Sequence, residues 1–350
     1  MRTTTELPLL EASGGADVSQ PTARPSERFA VDDPRLLEHL AEHGYVIVRD
    51  VADAAQVARA HDLLWSHLEG LGTGIDRRSP ATWDDERWIG DPTTGILPDY
   101  GVPQSAFLWL IRGLPAVAEA FARVWDTADL LVSFDAAGAF RPSAFKGRWK
   151  TRASWFHVDQ NGLREPGFAC VQGLVNLVDA GPDRGGLVVL PGSHRRHAAL
   201  FEARREELLH ARGFVKLTPE WLARLGEEPA LKVCCAAGDL VLWDSRTVHC
   251  NTRAPARPAP AKGQAKAESP GLERLVAYVC MTPRARVADL AQLARLRHDA
   301  YLHGQGTNHV PYEFEPKPPP PPREGLPVQW RYTPVALDEH QRRLAGFDLL

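Results

Sequence analysis

The sequence lacks three features that would assign it to a broad class at once. No apolar run approaches the length needed to cross a bilayer, and the first residues lack the continuous apolar stretch of a signal peptide. No long basic run is present either, because 44 acidic residues against 41 basic ones give a formal charge of −3. We therefore expect a cytoplasmic protein that binds neither membranes nor nucleic acids.

Cysteines are few, and none forms a C-x-x-C pair. Adjacent cysteines in a strand point to opposite faces and rarely bridge, so no disulfide is expected within the Cys-Cys dipeptide. We predict buried free thiols in a reducing compartment. All five lie in apolar, strand-like runs: Cys170, Cys234, Cys235, Cys250 and Cys280.

What is present suffices for one large core, since 44% of the 350 residues are hydrophobic and 24% are charged. Residues 1–28 are rich in small and polar residues without periodicity, and we predict a disordered tail there. Residues 29–350 should form a single domain. Its parts are a helical N-terminal part over 29–128, a β core over 129–283, and a C-terminal helix with a proline-rich extension over 284–350.

Local signals place several elements within these parts. A short helix is predicted over 34–43, ending at Gly44, and a strand follows over 45–48. Asp53 and Gln56 have the spacing of a capping box at the start of a second helix. Further predicted elements are helices within 107–125, 201–227 and 287–302, a low-complexity loop over 254–271 and extended polyproline over 316–324.

The middle of the chain consists of short apolar or alternating runs such as LLVSF, FACVQGLVNLV, GGLVVL and GDLVLW, bounded by Gly, Pro and Asp. Evenly spaced short strands of this kind indicate a barrel or a double-sheet jelly roll rather than a parallel sheet with crossover helices. We therefore expect an α+β protein with a mainly β core.

The segment SWFHVDQ carries the strongest chemical signal. His157 and Asp159 are two residues apart in a strand-like run, so both side chains should point to the same face. His249 follows 92 residues later, at the end of GDLVLWDSRTVH. Two neutral imidazoles and one carboxylate form the facial triad that suits iron(II) and leaves coordination positions open. The strand context favours this metal site over an ordinary hydrogen-bonded pair of histidines with a turn aspartate.

Two of the open positions would suit the 2-oxo acid group of 2-oxoglutarate. The distal carboxylate of that cosubstrate needs a cation, because an unpaired buried carboxylate is costly. Arg274, which opens the strand RLVAYVC, is the leading candidate, since a guanidinium can pair a carboxylate bidentately. Arg253 is a rival, and a surface charge at Arg274 is the alternative. Gln172 should face the interior, either as a ligand for cosubstrate or substrate or as a satisfied core amide.

Four further residues lie close to the triad in the sequence. Trp155, Gln160 and Trp243 flank the predicted ligands, so each could line a substrate pocket or serve packing alone. His194 ends the segment PGSH, where a structural turn residue is more common than a metal ligand. We therefore leave His194 out of the predicted site.

Between the two halves of the triad lies DRGGLVVLPGSH, and after it comes RLVAYV. With HVDQ and GDLVLWDSRTVH, these segments resemble the phytanoyl-CoA dioxygenase family of iron(II)/2-oxoglutarate-dependent oxygenases. The resemblance implies a double-stranded β-helix with helices outside its major sheet, iron bound by His157, Asp159 and His249, and 2-oxoglutarate bound by Arg274. The spacing of 25 residues from His249 to Arg274 exceeds the family's usual spacing, which indicates an insertion at the low-complexity loop.

We therefore predict an iron(II)- and 2-oxoglutarate-dependent oxygenase that hydroxylates or otherwise oxidises a small organic substrate. One alternative is a cupin-like metal dioxygenase or isomerase that does not use 2-oxoglutarate. Another is a catalytically inactive family member that acts as a binding protein. The sequence favours no particular substrate and no particular oligomeric state.

Overall fold

The computed structural model describes residues 21–225, 228–255, 271–316 and 331–350. In these residues the strands, in chain order, are β1 (Thr22–Pro25), β2 (Tyr45–Val48), β3 (Ile96–Leu97), β4 (Leu130–Val132), β5 (Ala137–Phe140), β6 (His157–Val158), β7 (Val171–Asn176), β8 (Gly186–Val189), β9 (Val215–Lys216), β10 (Leu231–Cys234), β11 (Leu240–Asp244), β12 (His249–Thr252), β13 (Arg274–Tyr278) and β14 (Met281–Pro283). The α-helices are α1 (Arg35–His43), α2 (Ala54–Gly70), α3 (Ala106–Arg112), α4 (Pro115–Trp125), α5 (His197–Ala203), α6 (Arg205–Leu208), α7 (Pro219–Leu225), α8 (Leu290–Leu302) and α9 (Glu339–Ala345).

Two six-stranded sheets face each other. The major sheet has the strand order β2-β11-β7-β13-β5-β3, and the minor sheet has the order β1-β10-β8-β12-β6-β9. From β5 to β8 and again from β10 to β13, successive strands alternate between the two sheets, and their pairings are antiparallel. This is the winding of a double-stranded β-helix, so the predicted fold class is confirmed.

Strand alternation divides the apolar residues between the inside and the outside of the barrel. In β2, Tyr45 and Ile47 belong to the cluster between the sheets, whereas Val46 and Val48 belong to the outer cluster formed with α1 and α2. The helices of the N-terminal part therefore cover the major sheet, as predicted. A third cluster lies where α5, α6 and α7 pack on the minor sheet.

The first predicted helices and the strand between them are confirmed. α1 ends at Gly44, whose φ of 77° is left-handed and whose missing side chain leaves room for Thr247 and His194. The capping box at the start of α2 is complete: the Asp53 carboxylate accepts from the Gln56 amide N–H, and the Gln56 side chain accepts from the Asp53 N–H. His194 lies 3.0 Å from the carbonyl of Ala41 through Nε2, which gives this histidine a structural contact.

The tail predicted as disordered over 1–28 is partly ordered, and this prediction was wrong for β1. Thr22–Pro25 pairs in parallel with β10 at the edge of the minor sheet, while its four residues stay exposed. An edge strand held by main-chain hydrogen bonds needs no apolar pattern, so composition could not reveal it. Residues 1–20 lie outside the described residues.

The helical structure predicted within 201–227 is confirmed in part. The chain forms α5 and α6, then the short strand β9, then α7. Gly213 lies in a bend between α6 and β9, where a Cβ atom would come within 2.7 Å of the Asp159 carbonyl oxygen. The helix predicted over 287–302 begins at Leu290, capped by Asp289. Most of the low-complexity loop (256–270) and of the polyproline segment (317–324) lies outside the described residues.

All five cysteines are free thiols, as predicted. Burial raises the pKa of Cys235 and of Cys250 to about 12, so both stay protonated at neutral pH. Among the described residues, no helix combines the length and the apolar character that a bilayer crossing requires.

Candidate metal centre

The structure brings His157, Asp159 and His249 together inside the mouth of the barrel. β6 and β12 are neighbours in the minor sheet, with His157 directly opposite His249, and Asp159 follows β6 at once. Asp159 Oδ1 lies 3.6 Å from His157 Nε2, and Asp159 Oδ2 lies 3.3 Å from His249 Nε2. One ligand atom from each residue lies within 4.8 Å of the other two. The predicted spacing therefore places three donor atoms around one point.

Main-chain hydrogen bonds fix both imidazole rings in the orientation that a metal site needs. His157 Nδ1 lies 3.1 Å from the Trp155 carbonyl oxygen, and His249 Nδ1 lies 2.9 Å from that of Thr247. A carbonyl oxygen only accepts, so Nδ1 carries the proton in each ring and Nε2 presents its lone pair toward Asp159. Burial lowers the pKa of His157, which keeps this imidazole neutral at neutral pH. The donor set fits a divalent transition metal.

Asp159 is held as an oriented carboxylate. Burial alone would raise its pKa, but the neighbouring His157, His249 and His309 hold the pKa of Asp159 well below its usual range. Gln172, in the centre of the major sheet, donates from Nε2 to Asp159 Oδ2 at 3.0 Å. Gln172 thus faces the interior as predicted, and its observed partner is the carboxylate of the triad.

A cavity of about 280 Å³ adjoins the triad, and we call it the inner cavity. Trp155 and Trp243 line it, and Trp155 stacks on the His157 ring at 4.6 Å with an interplanar angle of 8°. Within the described residues, the indole N–H of each tryptophan is buried without a hydrogen-bond partner. Buried polar groups are nearly always satisfied, so these two donors favour a ligand with acceptor atoms in this cavity.

Arg274 opens β13, and strand alternation places its side chain on the interior face. Val276 belongs to the cluster between the sheets and Tyr278 lines the inner cavity, so Arg274 shares their face. Arg274 is 2% exposed, and its guanidinium lies 5.1 Å from the ring centroid of Phe140. Its Nη1 is buried and has no hydrogen-bond partner in the described part of the chain. The alternative of a surface charge at Arg274 does not fit this position.

Two other predicted residues lie away from the inner cavity. Arg253 is exposed and lines a separate cavity on the outside of the minor sheet. Gln160 lines a cavity adjacent to the inner one, but its amide is already engaged: Nε2 donates to the carbonyls of Glu165 and Gly167, and Oε1 accepts from Ser245. These contacts give Gln160 a role in shaping the loop after β6, and its predicted contact with substrate stays a prediction.

Sequence reasoning missed two residues beside the triad. Phe214 lies on the turn before β9, with its ring 4.7 Å from the ring of His157. His309 lies in the C-terminal part and lines the inner cavity. Both belong to irregular segments, where no periodicity identifies the inward-facing side chains.

Comparisons with known proteins agree with the site and the fold. Residues 115–252, which include the whole triad, match the family model described as phytanoyl-CoA dioxygenase. Ava biosynthesis cluster protein O of Aspergillus versicolor is 29% identical over 280 residues, which cover 77% of this chain and 84% of the relative. A putative phytanoyl-CoA dioxygenase of Dictyostelium discoideum is 21% identical over 250 residues, covering 61% of this chain and 68% of its own.

Among solved structures, hypothetical protein JW0805 from Escherichia coli matches with a TM-score of 0.55 and 16% identity, covering 91% of this chain and 84% of that chain. At this identity the likeness shows the fold alone. The segments HVDQ, GGLVVLPGSH and GDLVLWDSRTVH all lie within the matched residues 115–252. Over residues 115–252, the chain is therefore similar to the phytanoyl-CoA dioxygenase family.

Proposed function

We propose that the protein hydroxylates or otherwise oxidises a small organic substrate and converts 2-oxoglutarate to succinate and carbon dioxide in the same turnover. The observation that carries the proposal is the arrangement of His157, Asp159 and His249, with both Nε2 atoms directed toward one carboxylate. When bound there, iron(II) with 2-oxoglutarate activates dioxygen and supplies the oxidising power for a C–H bond.

The protein's own groups position and shield this chemistry. His157 and His249 direct Nε2 toward the metal position, and Gln172 holds the Asp159 carboxylate in place. Apolar and aromatic side chains such as Leu187 line the inner cavity and exclude water from it. Exclusion of water strengthens every electrostatic contact in such a site and protects a reactive centre from side reactions.

Arg274 supports the use of 2-oxoglutarate over a cofactor-free metal reaction. Arg274 precedes Val276 by two residues and Tyr278 by four. It therefore lies about 13 Å along the strand from Tyr278, at the other end of the interior face. A buried guanidinium with an unpaired nitrogen is costly unless an anion completes it. The distal carboxylate of 2-oxoglutarate is an anion that can do so, while its 2-oxo acid group points toward the triad.

Anaerobic titration tests this proposal directly. Iron(II) and then 2-oxoglutarate are added to metal-free protein, and we expect the weak visible metal-to-ligand charge-transfer band at a stoichiometry near one per chain. A protein that binds iron but gives no band with 2-oxoglutarate would favour the cupin-like alternative. A protein that binds no iron near this stoichiometry would favour a binding role. Release of succinate with a panel of metabolites then identifies the substrate.

A further inference from the structure

A second cavity of about 530 Å³ adjoins the inner cavity, and we call it the outer cavity. The two cavities share three lining residues, Asp159, Phe214 and His309. The remaining walls of the outer cavity are polar and carry charges of both signs, among them Arg212 and Glu313. The predicted metal ligand Asp159 therefore lies where the two cavities meet, beside the ring of Phe214 and the imidazole of His309. We call this meeting point the junction.

The segment that carries His309 is fastened across the mouth of the barrel. The Thr307 N–H donates to the Phe134 carbonyl at 2.9 Å, and the Phe134 N–H donates to Thr307 Oγ1 at 3.2 Å. Tyr312, three residues beyond His309, donates from its hydroxyl to Glu165 at 2.6 Å. The C-terminal part of the chain thus supplies a wall of the site.

The Phe214 side of the junction is equally well supported. Asn161 donates from Nδ2 to the carbonyls of Leu208 and Ala211, at 3.2 and 2.6 Å, and so ties the turn to the loop after β6. Gly213 packs its backbone against the Asp159 carbonyl. Phe214 nevertheless keeps 53% of its surface exposed, and this large apolar ring faces the junction of the two cavities.

His309 Nε2 is buried and has no hydrogen-bond partner among the described residues. The inner cavity, at about 280 Å³, lies at the lower end of the roughly 300–1,000 Å³ of typical ligand pockets, and the cosubstrate would take up part of it. Space for a second molecule is available in the outer cavity, which adjoins the inner one at Phe214 and His309.

We propose that the substrate reaches the metal between Phe214 and His309. It is an elongated molecule, whose compact apolar end reacts in the inner cavity while its polar end stays among the charged residues of the outer cavity. Phe214 packs on the apolar part, and His309 hydrogen-bonds the middle of the molecule. Both are specificity-determining residues. This inference rests on the proposed function, because it assigns the space between the triad and Arg274 to 2-oxoglutarate.

Two probes of different length test the passage without knowledge of the substrate. Imidazole and 4-phenylimidazole are titrated into the cobalt(II)-loaded protein, with and without 2-oxoglutarate, and the cobalt d–d absorption reports binding. Imidazole fits the inner cavity, whereas the phenyl ring of the longer probe must extend through the junction. We compare Phe214→Trp and His309→Trp with Phe145→Trp, a matched change at an aromatic residue that is 41% exposed and lines neither cavity.

We expect both junction variants to bind 4-phenylimidazole about tenfold more weakly than the wild type, because a larger ring overfills the passage, and imidazole about as well. Phe145→Trp should change neither affinity. Retained imidazole binding also shows that the variants are folded.

Thr94→Trp narrows the inner cavity at a wall that the outer cavity does not share. If this variant loses 4-phenylimidazole while both junction variants keep it, the substrate enters elsewhere and the inference is overturned. Failure of the proposed function would look different. 2-Oxoglutarate would then leave the cobalt spectrum unchanged. The ratio of the affinities for 4-phenylimidazole and imidazole, measured without 2-oxoglutarate, would still show whether the longer probe passes between Phe214 and His309.

Discussion

Two arginines in different regions of the molecule are buried almost equally, yet the protein satisfies only one of them. Arg297, on α8, is 1% exposed and donates to the carbonyls of Ala345 and Val132, at 2.9 and 2.5 Å. Arg274, in the barrel interior, is 2% exposed and keeps Nη1 unpaired within the described residues. Arg297 therefore ties the C-terminal helix to the fold, whereas Arg274 is prepared for a partner from outside the chain.

Burial alone therefore does not distinguish an arginine that stabilises the fold from one that binds a ligand. Burial lowers the pKa of Arg297 to about 9, and this cost is offset by carbonyl acceptors and by the ring of Phe134, 4.1 Å from the guanidinium. Arg274 also lies against an aromatic ring, that of Phe140, but its Nη1 has no hydrogen-bond partner among the described residues. A stability assay and a ligand-binding assay should therefore separate the two arginines.

The largest expected effect is on stability at Arg297. Arg297→Met leaves two buried carbonyls without donors, so we expect the free energy of unfolding in urea to fall by about 3 kcal/mol. The folded fraction should keep its affinity for 2-oxoglutarate. A loss well below 1 kcal/mol would mean that Arg297 does not stabilise the fold through these hydrogen bonds.

Arg274→Met should produce the opposite pattern. We expect the dissociation constant for 2-oxoglutarate, measured by the charge-transfer band under anaerobic conditions, to rise about 100-fold, equivalent to about 2.7 kcal/mol. Iron content and unfolding free energy should stay close to those of the wild type. Arg253→Met is the matched control. If the dissociation constant for 2-oxoglutarate rises in Arg253→Met and not in Arg274→Met, the proposed role of Arg274 is wrong.

A smaller effect is expected where a neutral side chain orients the triad. Gln172→Leu removes the donor to Asp159 Oδ2, and we expect iron(II) to bind about tenfold more weakly. Competition with a coloured chelator measures this affinity. Gln292→Leu, at an exposed position of α8, should leave it unchanged; equal affinities for the two variants would contradict an orienting role for Gln172.

The smallest expected effect is a loss of stability in the helical N-terminal part. Asp53→Ala removes the capping box of α2 and should lower the unfolding free energy by about 1 kcal/mol, without changing the affinity for iron or 2-oxoglutarate. Thermal unfolding with and without ligands gives both quantities. A change in cosubstrate affinity would show that the helical layer and the barrel interior are coupled.

The features that the sequence predicted are those that periodicity and local chemistry encode. The two-residue spacing of His157 and Asp159 fixes a common face in any strand, and the capping box of Asp53 and Gln56 needs only its own turn. Arg274 could be chosen because it opens the strand after His249 and because a guanidinium can pair a carboxylate bidentately. These predictions needed no knowledge of distant parts of the chain.

What escaped prediction depends on contacts between distant segments. β1 is held by β10, more than 200 residues away, and the interruption of the helix predicted over 201–227 follows from the approach of Gly213 to Asp159. His309 comes from a loop whose position is set by Thr307 and Phe134. In each case tertiary packing overrides local preference, and no signal in the segment itself announces the outcome.

The parallel stacking of Trp155 on His157 has a practical consequence. An indole 4.6 Å from a metal-binding imidazole lies within range of strong quenching by a transition metal, so its emission should report loading of the centre. With ten tryptophans in the chain, the response is isolated by subtracting the signal of Trp155→Phe. The fluorescence of Trp155 should therefore report metal binding without an added dye.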